Sequence, residues 1–163
     1  MKRRNFSAIL VFTAMVMLGG CDDDNGGTGP KPDPTASNTR QATVTYVYDG
    51  DTIQVNGSEK VRYIGIDTPE IGECYYSEAT NRNRFLVDDE VVTLEICVES
   101  PTDQYGRTLA HVSCDAGLVN AILIREGYAR AYRVPPCTSK ANYYADLDRE
   151  ARAAGRGMWS ACN

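Results

Sequence analysis

From Thr43 to Tyr48, β-branched and aromatic residues alternate, which predicts a strand. Thr52–Val55 and Lys60–Ile66 predict a second and a third strand, joined around Asn56-Gly57, a strong tight-hairpin signal. Ser77–Val87 is read as a helix, although its apolar period is weak. Val91–Val98 and Thr108–Cys114 predict two more strands, with Asp103-Gln104-Tyr105-Gly106 making the turn between them. Leu118–Glu126 predicts a helix that ends at Gly127, the residue type that accepts the left-handed conformation past a helix C-terminus. Ser139–Ala154 predicts a longer helix, capped by Thr138 or Ser139 and stopped at Gly155. Five short strands with interspersed helices point to an α+β domain that is mainly β barrel, an OB-like five-stranded Greek-key barrel with three helices. A helix-decorated open sheet is the alternative.

The chain ahead of the first strand has a different character. Lys2, Arg3 and Arg4 precede an apolar run from Phe6 to Leu18, too short for a comfortable membrane span and flanked as an export signal is. Leu18-Gly19-Gly20-Cys21 resembles a bacterial lipobox, in which Cys21 is lipidated and becomes the mature N-terminus; an ordinary signal peptide cut nearby is the alternative. Residues 21–40 hold no large apolar side chain and are rich in Gly, Pro and Asp, so they read as a flexible tether. The expected organisation is a lipoprotein signal peptide over 1–20, a lipid-anchored tether over 21–40 and one folded domain over 41–163. The expected location is the bacterial cell envelope. Asp22 directly after the cysteine points to the periplasmic face of the inner membrane if the host has two membranes.

Charge and cysteine content sharpen this. The chain has 17 basic and 22 acidic residues, and loss of Lys2, Arg3 and Arg4 leaves 14 against 22, or −8 for the mature form. Broad electrostatic binding of nucleic acid calls for a basic face. This chain therefore either binds nucleic acid locally, through a few arginines and a metal, or does not bind it tightly. Export would place Cys74, Cys97, Cys114, Cys137 and Cys162 in an oxidising compartment. Five thiols allow at most two intramolecular disulfides and leave one over, and no C-x-x-C spacing suggests zinc or redox chemistry.

Three segments carry candidate chemistry: Asp49-Gly50-Asp51-Thr52, Arg62 through Glu70, and Asp103-Gln104-Tyr105-Gly106-Arg107. Each alone passes for an ordinary turn. Together they supply hard acidic oxygens for a hard cation, a further carboxylate that can move a proton, and two guanidinium forks for phosphate. Arg62 and Asp67 are five apart, so a flat strand would send them to opposite faces, and a bend or bulge near Gly65 is predicted. His111 alternates with Leu109 on a strand and is read as structural.

The order D-G-D-T, R-x-x-x-x-D-T-P-E and D-x-Y-G-R resembles the staphylococcal (micrococcal) nuclease family. Leu118-Val119-Asn120, Arg125-Glu126-Gly127-Tyr128-Ala129 and Met158-Trp159-Ser160 extend the resemblance over residues 43–160. It implies an OB-like barrel with three helices and a calcium-dependent nuclease site on the rim. By motif position, Asp51 and Asp67 match the calcium carboxylates and Thr68 the main-chain oxygen ligand. Glu70 matches the general base, and Arg62 and Arg107 match the phosphate-binding pair. Tyr132 lies near a family tyrosine that contacts phosphate, and Tyr105 is a second candidate substrate contact. The implied reaction is water attack on phosphorus with loss of the 5′-oxygen, leaving 3′-phosphate ends in DNA or RNA. The family fold brings the segment of Cys137 alongside Cys97, which implies a Cys97–Cys137 disulfide and leaves one bond for Cys74, Cys114 and Cys162 to share. Lysines common in the family after T-P-E and in the D-K-Y-G-R turn are missing: the first loop is short and the turn carries Gln104. The expected partners are DNA or RNA and, through Cys21, a membrane, with the chain acting as a monomer. A non-catalytic OB-fold module that binds nucleic acid or protein is the alternative.

Overall fold

Residues 38–162 are described in a computed structural model of the chain. The expected signal peptide, Cys21 and the tether up to residue 37 lie outside the described residues. The first strand, β1 (Thr39–Val47), begins two residues before the expected domain boundary. Its first half, Thr39–Thr43, pairs antiparallel with β5 (Val91–Ile96), and its second half pairs with β2 (Thr52–Val55). β2 pairs with β3 (Glu59–Tyr63), and β5 pairs with β6 (Thr108–Cys114). A parallel pairing of Val61, Arg62 and Tyr63 with Thr108, Leu109 and Ala110 joins β3 to β6 and closes five strands into a barrel. β7 (Gly117–Leu118) extends β6 as a short hairpin. β4 (Ile66–Asp67) and β8 (Arg130–Ala131) form a separate two-stranded sheet. The helices are α1 (Tyr76–Val87), α2 (Val119–Glu126), α3 (Ala141–Ala153) and a terminal turn, α4 (Met158–Ala161). The barrel topology and the three main helices match expectation, and the open-sheet alternative is excluded by the β3–β6 pairing. Among the described residues no helix is long and apolar enough to cross a membrane.

The barrel interior is filled by inward residues of every strand, among them Val44, Val47, Ile53, Val61, Leu94 and Val112, and α2 caps it with Leu123 and Ile124. Side chains of this size stabilise by about 1.5–3 kcal/mol each when fully buried. Asn56 and Gly57 both have positive φ, 51° and 80°, as the hairpin signal requires. Gly127 also takes the left-handed conformation, and its N–H bonds Ile124.

Three local expectations are corrected. β3 ends at Tyr63 instead of running to Ile66, because the chain turns at Ile64-Gly65. α3 starts at Ala141, and neither Thr138 nor Ser139 caps it. The Ser139 hydroxyl lies 3.2 Å from His111 Nε2 instead. β1 carries a bulge at Thr45, between the Val44–Val55 and Tyr46–Gln54 pairs, which breaks the simple alternation of this strand.

Disulfides join Cys97 to Cys137, as expected, and Cys74 to Cys162, while Cys114 is free. Cys97 and Cys137 form a small second core with Ile64 and Leu109.

His111 is structural, with Tyr144 Oη 2.8 Å from Nδ1 and Ser139 on the other nitrogen. Burial, and then the Lys140 ammonium, hold its pKa down at about 4, against the opposing pull of Glu95. Between pH 6.5 and 4 the unfolded chain therefore binds a proton that the folded chain refuses, so stability falls as pH falls through this window. The contribution is at most about 3 kcal/mol. Asp51, raised to about 6, works the other way over the same window, so the expected result of urea unfolding at pH 7.5 and 4.5 is a less favourable change in the parent than in His111→Gln. An equal change in both would remove His111 as a contributor.

Candidate active site

Two buried asparagines position the loops that carry the candidate chemistry. Asn83 of α1 accepts from the Tyr63 hydroxyl and donates to the Asp49 carbonyl at 2.9 Å, which fixes the start of the β1–β2 loop. Asn120 of α2 accepts from Val112 N–H and donates to the Ile64 carbonyl at 2.9 Å, which fixes the turn after β3. Neither amide has solvent access, so each holds its carbonyl without competition from water. The Asp49 carboxylate accepts the Asp51 N–H at 3.0 Å, closing the loop on itself. Gly50 must be glycine here: a Cβ would sit 2.8 Å from the Thr68 side chain. Gly65, at φ 80°, allows the predicted bend, and a Cβ there would strike the Tyr144 ring at 2.7 Å.

The bend brings Arg62 and Asp67 to one side. The Arg62 guanidinium lies 3.0 Å from Asp51 Oδ2 and 3.6 Å from Asp67 Oδ1, and it donates to the carbonyls of Tyr63 and Ile66. Asp51 Oδ2 also accepts from the N–H and hydroxyl of Thr68, at 3.0 and 2.9 Å. Burial pushes the Asp51 carboxyl up, to about 6, against the Arg62 charge and the Thr68 hydrogen bonds, with Asp49 adding to the rise. Arg130, opposite Asp67 in the β4–β8 pair, donates to Asp67 Oδ2 at 2.9 Å.

Arg107 stands on the β5–β6 loop, where Asp103 holds it by its N–H at 2.9 Å and its Nε at 2.7 Å. Partial burial pushes the Asp103 carboxyl up, but the Arg107 and Tyr105 hydrogen bonds outweigh it and leave the group below its ordinary range. Arg62, Arg107, Tyr105 and Tyr132 line one cavity of about 500 Å³, closed on one side by Pro136 and Cys137. Tyr132 is more exposed than a barrel tyrosine would be, since its ring lines this cavity.

The structure thus brings Asp51, Arg62, Asp67 and Thr68 into direct contact and sets Arg107, Tyr105 and Tyr132 around the cavity that Arg62 shares. Glu70 follows Thr68 by two residues. It is exposed, outside the cavity lining, on a tight turn closed by its N–H to Glu73 Oε2 at 2.8 Å. Sequence reasoning missed Arg130, Asn83, Asn120 and the clamp role of Asp103. Arg130 and Asp67 are 63 residues apart and meet only through strand pairing, for which one sequence holds no signal.

Among the described residues no group of three or more His, Cys, Asp or Glu side chains is arranged as a metal cage. The donors available to a cation are two carboxylates and the Thr68 carbonyl. They are hard oxygens. The set fits a hard divalent ion held weakly.

A family profile described as Staphylococcal nuclease homologue matches residues 60–161. The SPbeta prophage-derived endonuclease YokF of Bacillus subtilis (strain 168) is 38% identical over 128 residues, which cover 72% of this chain and 43% of that protein. Endonuclease YncB of the same strain is 37% identical, over 72% of this chain and 61% of its own length. The thermonuclease of Staphylococcus intermedius is 34% identical over 143 residues, 82% of this chain and 84% of its own. The chain therefore spans less than two thirds of the two Bacillus endonucleases and most of the staphylococcal enzyme.

Proposed function

The chain belongs to the staphylococcal nuclease homologue family, and on that footing we propose that it is a calcium-dependent nuclease, hydrolysing phosphodiester bonds of DNA or RNA outside the cytoplasm. The observation that carries this reading is the convergence of Arg62 with Asp51 and Asp67 at the mouth of a cavity that Arg107 also lines. Calcium, when bound by Asp51, Asp67 and the Thr68 carbonyl, supplies charge neutralisation at a phosphate oxygen and a template for water. Arg62 grips the phosphate from β3 and Arg107 from the β5–β6 loop, each able to offer two parallel donors. Asp51 and Asp103 hold the two guanidinium groups in place, so the charge developing on phosphorus meets donors that need no rearrangement. Glu70, exposed on the turn that follows Thr68, accepts a proton from the attacking water. The new P–O bond forms as the bond to the 5′-oxygen breaks. That oxygen takes a proton from solvent and leaves as a hydroxyl, Glu70 returns its own proton to solvent, and the phosphate stays on the 3′ side. Tyr105 and Tyr132 offer faces for the adjoining nucleotide.

Activity gels cast with single-stranded DNA test this directly. The purified domain is expected to clear DNA with calcium and not with EGTA. No clearing in calcium would sink the nuclease reading in favour of a non-catalytic module.

The same reading includes export and lipidation at Cys21. The basic-apolar start of the chain supports it, as do two disulfides, which persist in oxidising compartments. Palmitate labelling of cells that express the full chain is expected to be lost in Cys21→Ala. Undiminished labelling would exclude this anchor.

A further inference from the structure

We infer that the outer face of β1–β3 is a track for single-stranded nucleic acid, formed by Tyr46, Tyr48 and Lys60 and continuous with Arg62. The inference rests on the nuclease reading above and extends it from one scissile linkage to the strand that carries it.

The bulge at Thr45 is the origin of this surface. Without the extra residue, the alternation of β1 would put Tyr46 on the same face as buried Val44, inside the barrel. With it, Val44 and Val47 both point inward and Tyr46 and Tyr48 both point out. Re-aiming a side chain is what a bulge does. It brings no packing gain here: Tyr46 is 52% exposed, a large aromatic face left to water on a barrel whose interior is already filled. The two rings lie 4.9 Å apart, edge to face. Lys60 Nζ sits 4.7 Å from the centre of the Tyr48 ring.

Strand register places this group beside the site. Tyr46 pairs with Gln54, Gln54 with Lys60, and Thr52 with Arg62. Lys60 and Arg62 are alternate residues of β3 and so share its outer face, about 6.6–6.8 Å apart along the strand. That is close to the spacing of successive phosphates on an extended chain. Tyr48 leads directly into Asp49 and Asp51. Aromatic faces with interleaved cations are the chemistry that holds single strands without reading their sequence, since every base has a π-face. In a chain of net charge −5, a local track of this kind supplies contacts that overall electrostatics do not.

Anisotropy titration of a labelled 20-nucleotide single-stranded DNA, in EGTA so that the proposed chemistry is silent, separates the two side-chain roles. Tyr46→Ala is expected to weaken binding about fivefold or more without changing its salt dependence. Lys60→Ala is expected to reduce the slope of log K against log salt by about 0.7, the loss of one phosphate contact. Tyr46→Phe is expected to bind like the parent. In calcium, both alanine variants should cleave a dinucleotide within about twofold of the parent while KM for the 20-mer rises. Parent-like binding and slope in both alanine variants, or a parent that does not bind the 20-mer, would overturn the track. A parent that binds the 20-mer but cuts nothing would overturn the nuclease reading and leave the track standing.

Discussion

Arg107→Ala is expected to lower turnover of single-stranded DNA in calcium by at least about 10²-fold, the usual cost of removing one preorganised donor aimed at developing charge. Its thermal midpoint should barely move. The reason is where Arg107 sits: on a loop, partly exposed, with Asp103 as its ion-pair partner. Arg62→Ala makes a useful contrast, because Arg62 offsets the charge of buried Asp51 and donates to two backbone carbonyls. Removing one partner of a buried ion pair costs about 3–5 kcal/mol, so that variant should lose both activity and stability. Arg107→Lys keeps the charge and loses the fork, and should fall between parent and alanine. Glu70→Gln is expected to match Arg107→Ala in turnover with an unchanged melting curve, since the Glu70 side chain is exposed and the N–H to Glu73 that closes its turn is main chain. Turnover within tenfold of the parent for either Arg107→Ala or Glu70→Gln would take that residue out of the mechanism.

Loss of the Cys74–Cys162 crosslink should have the largest effect on stability. It joins residues 88 apart, and on a chain-entropy account closing a loop of that length restrains the unfolded chain by about 4–5 kcal/mol. Native disulfides removed from small secreted domains typically cost about 2–5 kcal/mol. The double variant Cys74→Ser/Cys162→Ser is therefore expected to melt about 10 °C or more below the parent by circular dichroism. The crosslink also anchors the short segment that begins at Glu70, so the variant should lose turnover even at temperatures where it remains folded. A midpoint within about 3 °C of the parent would show that packing alone holds the C-terminal turn.

Much of the fold was legible because local chemistry and global topology agree. Asn56-Gly57 needs positive φ at both residues and obtains it. Gly127 ends α2 as a residue without Cβ does most readily. Arg62 and Asp67, five apart, share one side only if the strand bends near Gly65, and the backbone turns there. What stayed hidden depends on distant pairing or on small departures from period. A single sequence shows no link between Asp67 and Arg130, which meet through a two-residue strand pair. Ser139 looks like a helix cap, yet its hydroxyl faces His111 across the barrel end, a partner that exists only after α3 docks. The alternation from Thr43 to Tyr48 reads as one regular strand, and nothing in it reveals that an extra residue at Thr45 reverses which side the tyrosines take.

The bond between Cys74 and Cys162 makes a covalent ring of most of the domain, and the Cys97–Cys137 bond lies inside that ring. A protease that cuts any one loop between positions 74 and 162, including the exposed turn at Tyr105, leaves both fragments on the same molecule. A nicked chain would run at full mass until reduced, and the severed ends would stay close enough to remain in register. This closure tolerates a single break without loss of either half.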